Sequence, residues 1–283
     1  MISRWRAAAA LCGAFFALSF VVVAGSDRLD GSETAYYEWD GPPPADYGNN
    51  GFAQSRIPVK AKEGVALIRI TASFAPLGSR TVWPIPAEKS PPELRFVPQP
   101  GSEGARLAAG SQTVYQAAWK ILEAVKQRLR YDANGAETPA AALKAGRGDC
   151  VAFASLALQW LLEAGIAGRP VTGILLLRSK AGIELKGAAL HRFIEIYFPD
   201  RGWVFTDPNR AFGAVTAEYI YLGPAGADYS RYEGVRITRR RLISALISEK
   251  RGGEAFYSRA NVRDVLLQGE RSSPAPQEST PLF

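Results

Sequence analysis

Histidine and cysteine are the scarce residues of this 283-residue chain, with one His and two Cys in all. A structural zinc takes about four nitrogen or sulfur ligands and a catalytic zinc about three from the protein. One His and two distant Cys cannot supply either comfortably. Carboxylates could bind a harder ion, but neither a metal nor a cofactor is expected. Charge of one sign is also in short supply: 34 Lys+Arg stand against 27 Asp+Glu, a net +7. The densest basic cluster is Arg236, Arg239, Arg240 and Arg241, followed by Lys250 and Arg251. It reads as a solvated face. There is no Gly-rich phosphate loop, RNA-binding signature or zinc-finger spacing, so no nucleic-acid partner is expected. An apolar share of 47% and a charged share of 22% exclude wholesale disorder.

Arg4 and Arg6 precede an uncharged apolar stretch at 7–24, and Val22-Val23-Ala24 offers a small-residue cleavage site. That is the layout of a secretory signal peptide. The stretch also sits at the lower edge of the roughly 17–25 residues that span a bilayer, so residues 7–24 are alternatively a retained membrane anchor. The expected location is therefore the periplasm, cell envelope or exterior. Cys12 lies within this stretch. If it is removed, Cys150 is the one remaining thiol and His191 the one imidazole, and no intramolecular disulfide can form.

Residues 25–57 are polar and turn-rich, with Gly41-Pro42-Pro43-Pro44 and Gly48-Asn49-Asn50-Gly51, and read as a linker or arm. Alternation at 65–74 predicts a half-buried strand, with Ala66, Ile68, Ile70, Ala72 and Phe74 on its apolar face. A Pro-rich stretch follows, and short β-like pieces at 81–85 and 94–97 place 58–105 as a small β region. Val114, Ala117, Ile121, Val125 and Leu129 then mark an amphipathic helix. Thr138-Pro139 opens a short helix that Gly146 closes. A third helix, from about 150 to 164, is apolar on nearly every side and belongs at the centre of a domain. Strands are expected at 170–177, 191–198 and 203–206, a further helical stretch near 241–248, and a disordered tail at 271–283. Helices first and antiparallel strands afterwards make an α+β domain.

Asp149 is a good N-cap, which puts Cys150 in the first turn of the central helix. The unpaired N–H groups there favour a thiolate and can receive an oxyanion formed at an attacked carbonyl. Asp149 opposes the thiolate with its own charge, so a further partner is needed. His191 opens a strand whose residues His191, Phe193, Glu195 and Tyr197 share one face. An imidazole suits a base that later protonates a leaving amine. Asp207 closes the next strand before Pro208, at the same end of the hairpin. Direct opposition of His191 and Asp207 needs a turn centred on Pro199, whereas Gly202 suggests a centre nearer 200–201. The register stays open. Arg147-Gly148-Asp149 also spells an integrin-binding tripeptide and is read here as a loop and cap.

Three ordered blocks carry a resemblance. Gly148-Asp149-Cys150-Val151-Ala152-Phe153-Ala154, His191-Arg192-Phe193-Ile194-Glu195-Ile196-Tyr197 and Gly202-Trp203-Val204-Phe205-Thr206-Asp207-Pro208 resemble the Cys, His and Asp blocks of the transglutaminase-like superfamily. The likeness covers about 111–215. It implies a papain-like core in which a central Cys-bearing helix packs on an antiparallel sheet. It also implies Cys150 as nucleophile, His191 as general base and acid, and Asp207 as orienting residue. An upstream oxyanion donor is implied too. Trp119 and Tyr131 are candidates for it, and both read better as core aromatics.

The expected organisation is a leader at 1–24, a linker at 25–57, a small β region at 58–105, the transglutaminase-like core at 106–225, an extension at 226–270 and a tail at 271–283. The expected function is an exported thiol enzyme that acts on amide or peptide bonds of a peptide or protein through a thioester. Water would give hydrolysis and an amine would give transamidation. The alternative is a non-catalytic peptide-binding module of a cell-envelope assembly built on the same fold.

Overall fold

The computed structural model describes residues 31–57, 64–73, 79–186 and 190–246. The leader at 1–24 and the tail at 271–283 lie outside the described residues. Within them, helices α1 (Glu103–Ala108), α2 (Val114–Arg128), α3 (Pro139–Ala145) and α4 (Cys150–Glu163) make one side of the molecule. On α2 the three- and four-residue spacing becomes a buried stripe of Val114, Ala117, Ala118, Ile121, Leu122 and Val125, and Thr113 caps the start by accepting Gln116 N–H. α4 buries Phe153, Leu156, Trp160 and Leu161. It packs against α1, α2, α3 and the sheet, which is why its sequence is apolar all round.

That sheet has four antiparallel strands in the order β10 (Gly202–Thr206), β9 (His191–Phe198), β7 (Gly168–Leu175), β11 (Tyr219–Pro224). Both of its faces are covered. Ile194, Ile196 and Phe198 of β9 join the helical core, while Phe193 and Phe205 point the other way into a second core. The second core is shared with a six-stranded sheet in the order β2 (Tyr47–Asn49), β3 (Phe52–Ile57), β4 (Val65–Ser73), β1 (Gly31–Asp40), β12 (Arg236–Leu246), β8 (Gly182–Glu184). The layers are thus helix, sheet, sheet. A short parallel pair, β5 (Arg130–Ala136) with β6 (Arg147–Gly148), leads into α4.

Close backbone approaches explain two glycines. A Cβ on Gly173 of β7 would stand 2.3 Å from the Ile220 carbonyl oxygen and 2.8 Å from the Phe193 ring. A Cβ on Gly104 of α1 would meet the Trp160 carbonyl oxygen of α4 at 2.0 Å. Gly104→Ala is therefore expected to push α1 off α4 at a cost of about 2 kcal/mol, the usual scale of overpacking. A urea unfolding midpoint that falls at unchanged slope is the corresponding measurement.

Several expectations are corrected. Residues 31–57 form strands β1, β2 and β3 rather than a linker, because β1 turns Glu33, Ala35, Tyr37 and Trp39 inward and Ser32, Thr34, Tyr36 and Glu38 the other way. The pieces at 81–85 and 94–97 are not strands. Val82 makes an isolated bridge to Thr113, and two 3-10 turns, Ala87–Lys89 and Pro92–Leu94, take the Pro-rich run. Asp200, in the β9–β10 turn, accepts Ser79 Oγ at 2.7 Å, Arg80 N–H at 2.9 Å and Thr81 Oγ1 at 3.0 Å, fastening that run to the hairpin. The region expected as a small β module also contains the first half of α1, seated by a Ser102 cap. The helix expected near 241–248 is strand through Leu246, since β1 supplies a pairing edge along the whole of β12.

Candidate active site

Asp149 caps α4 as expected: its carboxylate accepts Ala152 N–H at 2.9 Å and its carbonyl accepts Phe153 N–H at 3.1 Å. The cap consumes those two donors and does not engage the Cys150 and Val151 amides. Cys150 is half-buried and reduced. β5 and β6 bring the chain to this point, with Asp149 N–H donating to Ala136 O at 3.2 Å.

His191 opens β9 opposite Gly173 of β7. The β9–β10 register pairs Gly202 with Phe198 and Thr206 with Ile194, which centres the turn on residue 200. Asp207 is therefore not opposite His191. It leaves the strand, bridges to Ala211, and reaches His191 diagonally, with His191 Nε2 to Asp207 Oδ2 at 2.7 Å. The Cys150 thiol lies close enough to His191 to act on its ionisation. Since Nε2 is engaged by Asp207, Nδ1 is the ring nitrogen left for the thiol. The structure thus brings together the three residues that the sequence singled out.

The electrostatics are those of an ion pair. Burial works to lower the His191 pKa, but the Asp207 charge and hydrogen bond, with smaller contributions from Cys150, push it up to about 9. Burial opposes the Asp207 carboxylate in turn. The His191 charge and the hydrogen bonds from His191, Tyr219 and Asn209 N–H outweigh it and hold the Asp207 pKa below the ordinary value. A folded-state pKa above the free imidazole value of about 6.5 means that the pair stabilises the fold fully below that pH. The contribution is lost as pH rises through about 9. Wild-type stability should accordingly fall more between pH 6 and pH 9.5 than that of His191→Gln, as read from urea unfolding at both pH values.

Tyr219 completes the site and was not singled out by sequence. Its hydroxyl donates to Asp207 Oδ2 at 2.6 Å, and its ring packs on His191 with centroids 5.9 Å apart. It carries no motif and lies on a strand twelve residues past Asp207. Of the two candidate oxyanion donors, Tyr131 stands at the site. Burial and the negative charges of Cys150, Asp149 and Asp207 raise its pKa, and its ring is 44% exposed. Trp119 instead packs part-buried against the helical core. Among the described residues, no group of three or more His, Cys, Asp or Glu could hold a metal ion.

A central Cys-bearing helix on an antiparallel sheet, with Cys, His and Asp side by side, defines a papain-like α+β core. The family model described as the transglutaminase-like superfamily matches residues 104–208. The match ends one residue past Asp207. No curated protein matches the sequence. Similar solved structures include a provisionally named cysteine protease from Cytophaga hutchinsonii, at 11% identity and a TM-score of 0.41, covering 81% of this chain and 94% of that one. Another is the periplasmic domain of TgpA from Pseudomonas aeruginosa, at 15% identity and a TM-score of 0.38, covering 62% of this chain and 69% of that one.

Proposed function

We propose that the protein is an exported thiol enzyme that cleaves or transfers amide bonds of a peptide or protein substrate, with Cys150, His191 and Asp207 as its catalytic residues. The observation that carries this reading is the His191 Nε2–Asp207 Oδ2 pair at 2.7 Å, with the Cys150 thiol close enough to act on the same imidazole. His191 Nδ1 takes the Cys150 thiol proton as Sγ attacks the substrate carbonyl carbon, and the carbonyl π electrons move onto oxygen. The Cys150 and Val151 amides, with Tyr131 beside them, are placed to receive that charge. His191 gives its Nδ1 proton to the departing amine as the C–N bond breaks, which leaves a thioester on Cys150. His191 then takes a proton from water or from an acceptor amine, which attacks the thioester and frees the thiol. Asp207 holds the imidazole with Nε2 protonated throughout.

Export rests on the basic-then-apolar leader. Among the described residues, no helix is long and apolar enough to cross a membrane. Peptides and proteins of the cell envelope are the substrates within reach of such a chain. Ammonia or amine release from envelope peptides tests the reading, run with and without hydroxylamine. Hydroxamate formed at the expense of free acid would report the thioester, and Cys150→Ala should abolish both products. Product formation surviving in Cys150→Ala would refute the proposal.

A further inference from the structure

Tyr219 lies outside the matched segment, and the element that sets its position does too. Ala217, two residues earlier, is gripped from β1 at both of its backbone groups. Its N–H donates to Glu33 Oε2 at 3.2 Å, and its carbonyl accepts Tyr37 Oη–H at 2.7 Å. Glu33 is itself held by Arg178 in a buried ion pair. The chain then enters β11, where Tyr219 is 2% exposed and packs edge-on against Phe193.

We propose that Tyr219 is a positioning residue of the active site, one that shares the Asp207 oxygen facing His191 and thereby eases release of the imidazole proton to the leaving group. The proposal rests on the function proposed above. Asp207 Oδ2 accepts from His191 Nε2 at 2.7 Å and from Tyr219 at 2.6 Å, while Oδ1 accepts Asn209 N–H at 3.0 Å. A carboxylate with two donors on one oxygen carries less charge there than one with a single donor. It therefore grips the imidazolium less tightly. Without the tyrosine hydroxyl the Oδ2 oxygen is left to His191 alone, and the proton needed by the departing amine is held back. The N-terminal sheet is in this sense part of the catalytic apparatus, since β1 fixes Ala217 and so the start of β11. The other titratable groups around these residues are Cys150 against His191, Tyr131 near Cys150 and Asp207, and Arg210 and Glu218, whose charges act on Tyr219.

The chain has one histidine, so an imidazole NMR titration of the full chain reports His191 without assignment. Tyr219→Phe keeps the ring and removes the hydroxyl. The His191 midpoint is expected to rise by about half a unit or more, with kcat down about tenfold and KM little changed. Incorporation of 3-fluorotyrosine, a stronger hydroxyl donor, alters no backbone and should lower the midpoint. A midpoint that stays put or falls in Tyr219→Phe, or that fails to fall with the fluorinated residue, would overturn the assignment. A shifted midpoint in a protein whose Cys150 forms no thioester would instead sink the enzyme reading, which keeps the two failures apart.

Discussion

His191→Ala is expected to lower amide turnover at pH 7 by about 10⁴-fold, and Cys150→Ala/His191→Ala is expected to be no slower than Cys150→Ala alone. Residues that act as one unit lose the whole of their joint effect when any member is removed, so their losses do not add. Here the unit is physical: the Cys150 thiol acts on the His191 ionisation, and His191 touches Asp207 at 2.7 Å. Without the imidazole, no other described base contacts the thiol and no acid is positioned for the leaving amine. Asp207→Asn should fall between wild type and these variants, because the amide can still touch the ring but cannot balance its charge. Initial rates on a peptide anilide give all four values. Losses that multiply, with the double variant far slower than Cys150→Ala, would show that the two residues act independently.

The second large effect concerns stability. Arg178→Met is expected to cost about 3–5 kcal/mol, the scale for removing one partner of a buried ion pair. Arg178 is 9% exposed at its side chain, beside Glu33 at 3% and with Glu218 Oε2 3.8 Å from its Nε. Methionine fills much of the volume but leaves two carboxylates facing one another away from water. Glu33 comes from β1, Arg178 follows β7 and Glu218 precedes β11, so the loss falls on the seam between the two sheets. The contrast is Arg106→Ala, whose pair with Glu103 on α1 is exposed and should change stability by less than about 1 kcal/mol. Chemical unfolding of both variants measures the difference. Equal, small losses would mean that the seam does not depend on this cluster.

The same cluster explains what was legible in the sequence. α2 and α4 could be read from apolar spacing, and α4 also from its cap Asp149, all of which are local signals. The site could be read because Cys150, His191 and Asp207 each sit in a distinctive block, and the hairpin that joins two of them is short. The N-terminal sheet could not. β1 does alternate, but one of its inward positions is Glu33, and its partner Arg178 is 145 residues away. A carboxylate facing inward reads as an exposed polar residue until that partner is known. Glu195 repeats the pattern on β9: it is fully buried and held by Tyr47, Asn49 and Arg169. In β12 the basic run was read as a solvated face. Arg240 does pair with Glu38 at the surface, but Arg239 turns to the carbonyls of Leu176, Leu177, Arg178 and Lys180. Tyr219 stayed hidden for the same reason, since its meaning depends on Asp207 and on a sheet built from the two ends of the described chain.

The pH dependence of Cys150 alkylation by iodoacetamide tests the central claim most directly, with the Cys150 peptide followed by mass spectrometry in wild type and in His191→Ala. The account predicts a reaction that stays fast well below pH 8 in wild type and collapses in the variant, because the imidazole beside the sulfur is what activates it. A slow reaction that rises only near the ordinary thiol range of about 8.5, at the same rate with and without His191, would contradict it.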